Sequence, residues 1–177
     1  MIRYVPNLLS TARLLAAPYV FVLLATAQFR AALLWMFVIG ATDGLDGYIA
    51  RRYNATSKFG AYLDPVADKV LLSGGFLTLG LTGMIPVWLT WLVLGRDLLI
   101  LVFAAAVLTF SSQRPDLSPT RAGKLSTAFQ ILYILLITGS GAGLIPGVFP
   151  DFGQWAVLAV TGWSSVDYAR RALFRQG

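Results

Sequence analysis

Every acidic side chain in this 177-residue chain is an aspartate: Asp43, Asp46, Asp64, Asp68, Asp97, Asp116, Asp151 and Asp167. Four of them crowd into the stretch from Asp43 to Asp68. Asp43 and Asp46 are spaced i, i+3, and Asp64 and Asp68 are spaced i, i+4, and both spacings put two carboxylates on one face of a helix. There is no cysteine, histidine or glutamate. Thiolate and imidazole metal sites are therefore excluded, and any metal must sit on aspartate oxygens, which suits hard divalent ions such as Mg²⁺, Mn²⁺ or Ca²⁺. Four converging carboxylates repel one another, most strongly where water is scarce, and one or two cations held between facing helices would remove the conflict. The plainer reading pairs the aspartates with Arg51, Arg52, Lys58 and Lys69, which accounts for one or two of the four.

The elements that must position these groups are membrane helices. Hydrophobic residues make up 57% of the chain and charged residues 12%, about half the charged share of a soluble domain. Six apolar segments can be drawn, at 14–28, 31–50, 59–80, 85–110, 125–142 and 153–172, each near the length that crosses a bilayer core. Residues 6–13 read as a short amphipathic helix lying at the interface before the first span. The expected fold class is all-α, a polytopic bundle of six transmembrane helices in one domain covering 1–177, with no linker, repeat or low-complexity stretch. The net charge of +6 does not form the stripe that tracks a nucleic acid.

The basic residues mark topology instead. With the N-terminus in the cytoplasm, that side receives Arg3, Arg13, Arg51, Arg52, Lys58, Arg114, Arg121, Lys124, Arg170, Arg171 and Arg175, and the opposite side only Arg30. Both termini and the acidic cluster are then cytoplasmic by the positive-inside rule. Lys69 and Arg96 fall inside apolar segments. Trp88, Trp91 and Trp155 suit interfacial positions. The lack of a targeting extension points to a bacterial inner membrane. Asp43 and Asp46 share the second segment with Gly44, Gly47 and Ala50, and Asp64 and Asp68 share the third with Gly60. Glycine costs a helix roughly 1 kcal/mol against alanine, so these small residues serve close packing, room for a phosphorylated ligand, or both. A short polar loop joins the two segments, which makes them expected antiparallel neighbours.

The run Asp43-Gly-Leu-Asp46-Gly47-Tyr-Ile-Ala50-Arg51, eight further residues, then Gly60-Ala-Tyr-Leu-Asp64-Pro-Val-Ala-Asp68 resembles the signature of the CDP-alcohol phosphatidyltransferase family at every specified position. The likeness extends to the Pro6-Asn7-Leu8-Leu9 opening and to the six-helix length. It implies that Asp43, Asp46, Asp64 and Asp68 bind two divalent metal ions, Mg²⁺ or Mn²⁺, with Asp68 also the catalytic base on the acceptor hydroxyl. It implies that Gly47, Ala50, Arg51 and Gly60 line the pocket of the CDP-linked donor, CDP-diacylglycerol, with CMP leaving, and that the enzyme is a homodimer.

On the acceptor side, Arg96-Asp97 is either a self-neutralising pair or an inward arginine that holds an acceptor phosphate; the second reading is favoured. Arg121 and Lys124 are either topology anchors or the rest of that phosphate pocket, and Gln130 is polar glue or an acceptor contact. The segments Gly95 to Ile100 and Gly123 to Gln130 resemble the cardiolipin synthase and phosphatidylglycerophosphate synthase branches. Arg-Asp, where the second branch usually has Arg-Glu, favours phosphatidylglycerol as acceptor over glycerol 3-phosphate. An ion-coupled transporter is the more distant alternative; against it, the acids cluster near one surface and no inverted repeat is visible.

Overall fold

The computed structural model describes residues 5–53, 58–110 and 120–174, and the side-chain surroundings of 11–42, 69–102 and 120–170. Among these residues there are six helices and no strand: α1 (Val5–Ala25), α2 (Phe29–Tyr53), α3 (Lys58–Leu81), α4 (Val87–Phe110), α5 (Arg121–Gly141) and α6 (Val148–Phe174). The six apolar segments fall on these helices in order. One expectation is corrected. Residues 6–13 are not a separate helix but the first turns of α1, which runs unbroken from Val5. Nothing between Asn7 and Arg13 ends a helix, and Pro6 lies in the first turn, where its missing N–H has no intrahelical partner to lose.

Three tight turns join α1 to α2, α3 to α4 and α5 to α6, and all three close in the same way. The Gln28, Met84 and Leu144 N–H groups donate to the carbonyls of Leu23, Leu79 and Gly139 at 2.8, 2.9 and 2.9 Å. The residue before each donor is left-handed: Ala27 at φ 56°, Gly83 at 72° and Gly143 at 74°. These are Schellman closures, which satisfy helix-end carbonyls and favour glycine at the left-handed position. Ala27 adopts the same geometry against its own preference. Pro86 and Pro146 then accept the first N–H bonds of α4 and α6, from Leu89 and Phe149.

The packed helix pairs are α1·α2, α1·α3, α2·α5, α3·α4, α3·α5, α4·α6 and α5·α6. They describe a two-by-three array with α1, α3 and α4 in one row and α2, α5 and α6 in the other. Leu23, Leu24, Phe76, Leu79, Leu89 and Val93 lie in its core, and Phe76 of α3 stacks on Tyr133 of α5 with ring centroids 6.1 Å apart. Gly74 of α3 lies so close to the Phe21 ring of α1 that a Cβ there would displace the ring.

The array is apolar outside and buries a polar cluster beside its apolar core. Leu15, Phe37, Leu99 and Phe152 are 74%, 74%, 69% and 72% exposed, while Arg96, Asp97, Ser126, Gln130, Thr161 and Ser164 are buried. Apolar exposure on this scale is foreign to a soluble monomer. Among the described residues one helix, Arg121–Gly141, is long and apolar enough to cross a membrane, and Thr11–Ala25, Phe29–Thr42 and Lys69–Leu81 are shorter apolar helices. Trp88 and Trp155, near the starts of α4 and α6, are half exposed and lie side by side, 6.2 Å between centroids.

Candidate active site

The motif aspartates lie on α2, which runs away from the tight-turn end, and on α3, which runs back toward it. Measured from that end at 1.5 Å per residue, Asp43 and Asp46 sit about 21 and 26 Å along α2, and Asp68 and Asp64 about 20 and 26 Å along α3. Backbone register therefore sets all four in one layer. Their side chains lie outside the described residues, as do those of the donor-site candidates Gly47, Ala50, Arg51 and Gly60.

The relation between the two helices differs from direct adjacency. Among the described residues α2 and α3 form no extensive contact with each other; each packs on both α1 and α5. They occupy opposite corners of a ring of four helices. With neighbours about 9 Å apart, the diagonal is about 13 Å, which leaves space between the two acid-bearing helices. A short loop dictates an antiparallel course but not contact, and α1, with its small Ala16 and Ala17 packed inward, packs on both helices.

Beside this layer lies a buried polar cluster that spans α3, α4 and α6. Arg96 donates through one terminal nitrogen to Asp97 Oδ1 at 2.6 Å and through the other to Ser164 Oγ at 2.6 Å. Its guanidinium carbon is 5.6 Å from the centroid of the Tyr168 ring, within cation–π range. Lys69 Nζ of α3 reaches the same Asp97 oxygen at 2.7 Å. Consecutive helix residues ordinarily diverge, but here Arg96 and Asp97 do pair, because both are buried and a buried charge without a partner is costly. Arg96 is thus inward, as the phosphate-holding reading requires, and also engaged with Asp97, as the pairing reading requires. Arg96 Nε and Asp97 Oδ2 remain buried without a hydrogen-bond partner.

The start of α5 adjoins this cluster. Thr120, 2% exposed, caps the helix by accepting the Gly123 N–H at 2.9 Å. Arg121 and Lys124 stand exposed in its first turn, beside free N–H groups that favour anions. Gly123 is a close-approach position: a Cβ there would lie 3.0 Å from the Tyr168 hydroxyl oxygen. Tyr168 so touches both the α5 start and Arg96. Deeper in, Ser126 Oγ and Thr161 Oγ1 are 3.2 Å apart, and Gln130 Nε2 donates to Ser126 at 3.3 Å. Gln130, fully buried, is polar glue by this bond, yet its Oε1 has no partner.

Ser164 and Tyr168 were not singled out by sequence; their i, i+4 spacing on α6, in a chain with an arginine inside an apolar segment, was the available signal. Arg13, counted as a topology charge, is 4% exposed inside the array. Among the described residues no cluster of three or more metal-ligating side chains occurs. The donor chemistry of the motif nonetheless fits hard divalent cations. Four aspartates share a layer by register, and the lysine that follows Asp68 is paired with Asp97.

The array thus combines a largely apolar exterior, a buried polar cluster and four motif aspartates set at one level on two helices. The family model of CDP-alcohol phosphatidyltransferase matches residues 3–164, and the chain belongs to that family, which is membrane-associated. It is 33% identical over 172 residues to a cardiolipin synthase (CMP-forming) of Streptomyces coelicolor, covering 93% of this chain and 77% of that protein. It is 38% identical over 149 residues to a cardiolipin synthase (CMP-forming) / mitochondrial hydrolase fusion protein of Schizosaccharomyces pombe, covering 75% and 25%. It is also 35% identical over 160 residues to a CDP-diacylglycerol–glycerol-3-phosphate 3-phosphatidyltransferase of Cereibacter sphaeroides, covering 85% and 71%. The chain spans a quarter of the fission-yeast relative and 47% of a probable cardiolipin synthase of Drosophila melanogaster.

Proposed function

We propose that the chain is a phospholipid-synthesising enzyme that transfers a phosphatidyl group from CDP-diacylglycerol to a hydroxyl of a phosphate-bearing acceptor and releases CMP. The observation that carries this reading is the eight-position motif, Asp43 to Asp68, within the family match, with its four aspartates at one level by backbone register. Asp43, Asp46, Asp64 and Asp68 would hold two divalent ions, Mg²⁺ or Mn²⁺. Bound there, the ions would polarise the phosphoryl centre and stabilise the departing CMP. Gly47, Ala50 and Gly60 leave the backbone open to the donor's nucleotide, and Arg51 supplies a cation to it. Asp68 takes the proton of the attacking hydroxyl as general base.

Arg121 and Lys124 receive the acceptor's phosphate at the α5 start, and the unpartnered Nε of Arg96 is a further donor toward it. All six helices cross the membrane in this reading. The exposed leucines, phenylalanines and tryptophans face lipid, and both termini and the active site are cytoplasmic. The chain pairs as a homodimer.

The acceptor we favour is phosphatidylglycerol, which makes the product cardiolipin. The Arg96-Asp97 pair supports this, as does the name of the Streptomyces relative that covers most of the chain. Glycerol 3-phosphate is the second reading, motivated by the Cereibacter relative. Purified protein with CDP-diacylglycerol and Mn²⁺ should release CMP when phosphatidylglycerol is added and not when glycerol 3-phosphate is. The reverse result selects the second reading, and no CMP with either acceptor rejects the enzyme.

A further inference from the structure

Lys69 follows Asp68 directly on α3, and no step of the proposed reaction uses it. Its ammonium is not idle. It is held 2.7 Å from Asp97 Oδ1, the oxygen that also accepts from Arg96 at 2.6 Å. Asp97 is itself fixed, 3% exposed and paired with an arginine that Ser164 anchors on α6. Lys69 has the longer reach: its side chain is 29% exposed on a flexible four-carbon stem, and its ammonium nitrogen is buried against Asp97. On the helix it lies about 100° round from Asp68 and about 140° from Asp64. If Asp97 lost its charge, the counter-ions nearest along the backbone would be those two carboxylates.

We infer that Asp97 is a positioning residue for the acidic layer: it holds the Lys69 ammonium on the α4 side and so keeps it from occupying the carboxylates of Asp64 and Asp68. An ammonium seated on either carboxylate would neutralise charge that a divalent ion needs and would stand in its place. Asp97 acts through Lys69, without touching metal or substrate. This rests on the metal-binding reading above.

The test is Mn²⁺ binding to detergent-purified protein without donor or acceptor, followed by the loss of the free-Mn²⁺ electron paramagnetic resonance signal. Four proteins are compared: wild type, Asp97→Asn, Lys69→Gln and the double variant. Asp97→Asn should bind Mn²⁺ at least about tenfold more weakly, the scale of changes just outside a metal's ligands. Lys69→Gln should bind at least as tightly as wild type, and the double variant should return to within about threefold of it, because the competing ammonium is gone. A purely structural role for Asp97 predicts that the double variant is as weak as Asp97→Asn, and that result overturns the inference. So does an Asp97→Asn protein that binds like wild type. Should Asp97→Asn fail to fold, the double variant against Lys69→Gln decides, since equal binding by those two supports the inference and weaker binding by the double variant overturns it. Wild type that takes up no Mn²⁺ overturns the metal reading itself, and the inference with it.

Discussion

Replacing Ser164 with alanine isolates one bond in the buried cluster. Ser164 is fully buried on α6, and its Oγ accepts a 2.6 Å hydrogen bond from Arg96. A hydrogen bond to a charged group is worth about 1.5–3 kcal/mol, and the change strands a charged donor where water cannot reach it. In a chain of this size each kcal/mol moves the melting midpoint by about 2–4 °C, so Ser164→Ala should melt roughly 3–12 °C lower. Arg96 would also lose one of the two anchors that aim it. If its Nε serves the acceptor phosphate, the acceptor KM should rise about tenfold, equivalent to about 1.4 kcal/mol, with little change for CDP-diacylglycerol. The neighbouring Ser165→Ala is the control. Ser165 Oγ donates within its own helix, to the Thr161 carbonyl at 2.9 Å, so its loss should leave both readouts near wild type. Thermal melts of detergent-purified protein and acceptor titrations of CMP release measure the pair. Indistinguishable melting and KM for the two alanine variants would refute the assignment of Arg96 to the acceptor.

Asp68→Asn should abolish turnover while CDP-diacylglycerol binding persists, checked by single-turnover CMP release beside a lipid-binding measurement; full activity removes Asp68 as the base. Chelation with EDTA should stop CMP release, and either Mn²⁺ or Mg²⁺ should restore it, whereas activity that survives exhaustive chelation contradicts the metal reading. Ala27→Gly should raise stability by about 1 kcal/mol, because Ala27 is an L-residue at φ 56° where only glycine is unstrained. Gly83→Ala and Gly143→Ala should cost about the same, and melting curves of the three variants settle the sign.

Much of this protein was legible from local pattern. Apolar runs of membrane length set the number and order of the helices, because hydrophobicity along a chain needs no knowledge of the partner surface. The helices that carry Asp43, Asp46, Asp64 and Asp68 were likewise legible, and i, i+3 and i, i+4 positions share a face in any helix. The start of α1 was misjudged because a change in polarity between residues 13 and 14 is not a change in backbone conformation.

Only the tertiary structure decided how these pieces meet. It set α2 and α3 at opposite corners of a ring, where the short loop between them suggested contact. It joined Arg96 to Ser164, 68 residues away in sequence, and gave Lys69 to Asp97 on another helix. Sequence could flag each of those charges as out of place in an apolar segment, but not name its partner. A buried charge must find an opposite charge or a hydrogen bond, and which group satisfies it depends on which helices happen to pack alongside.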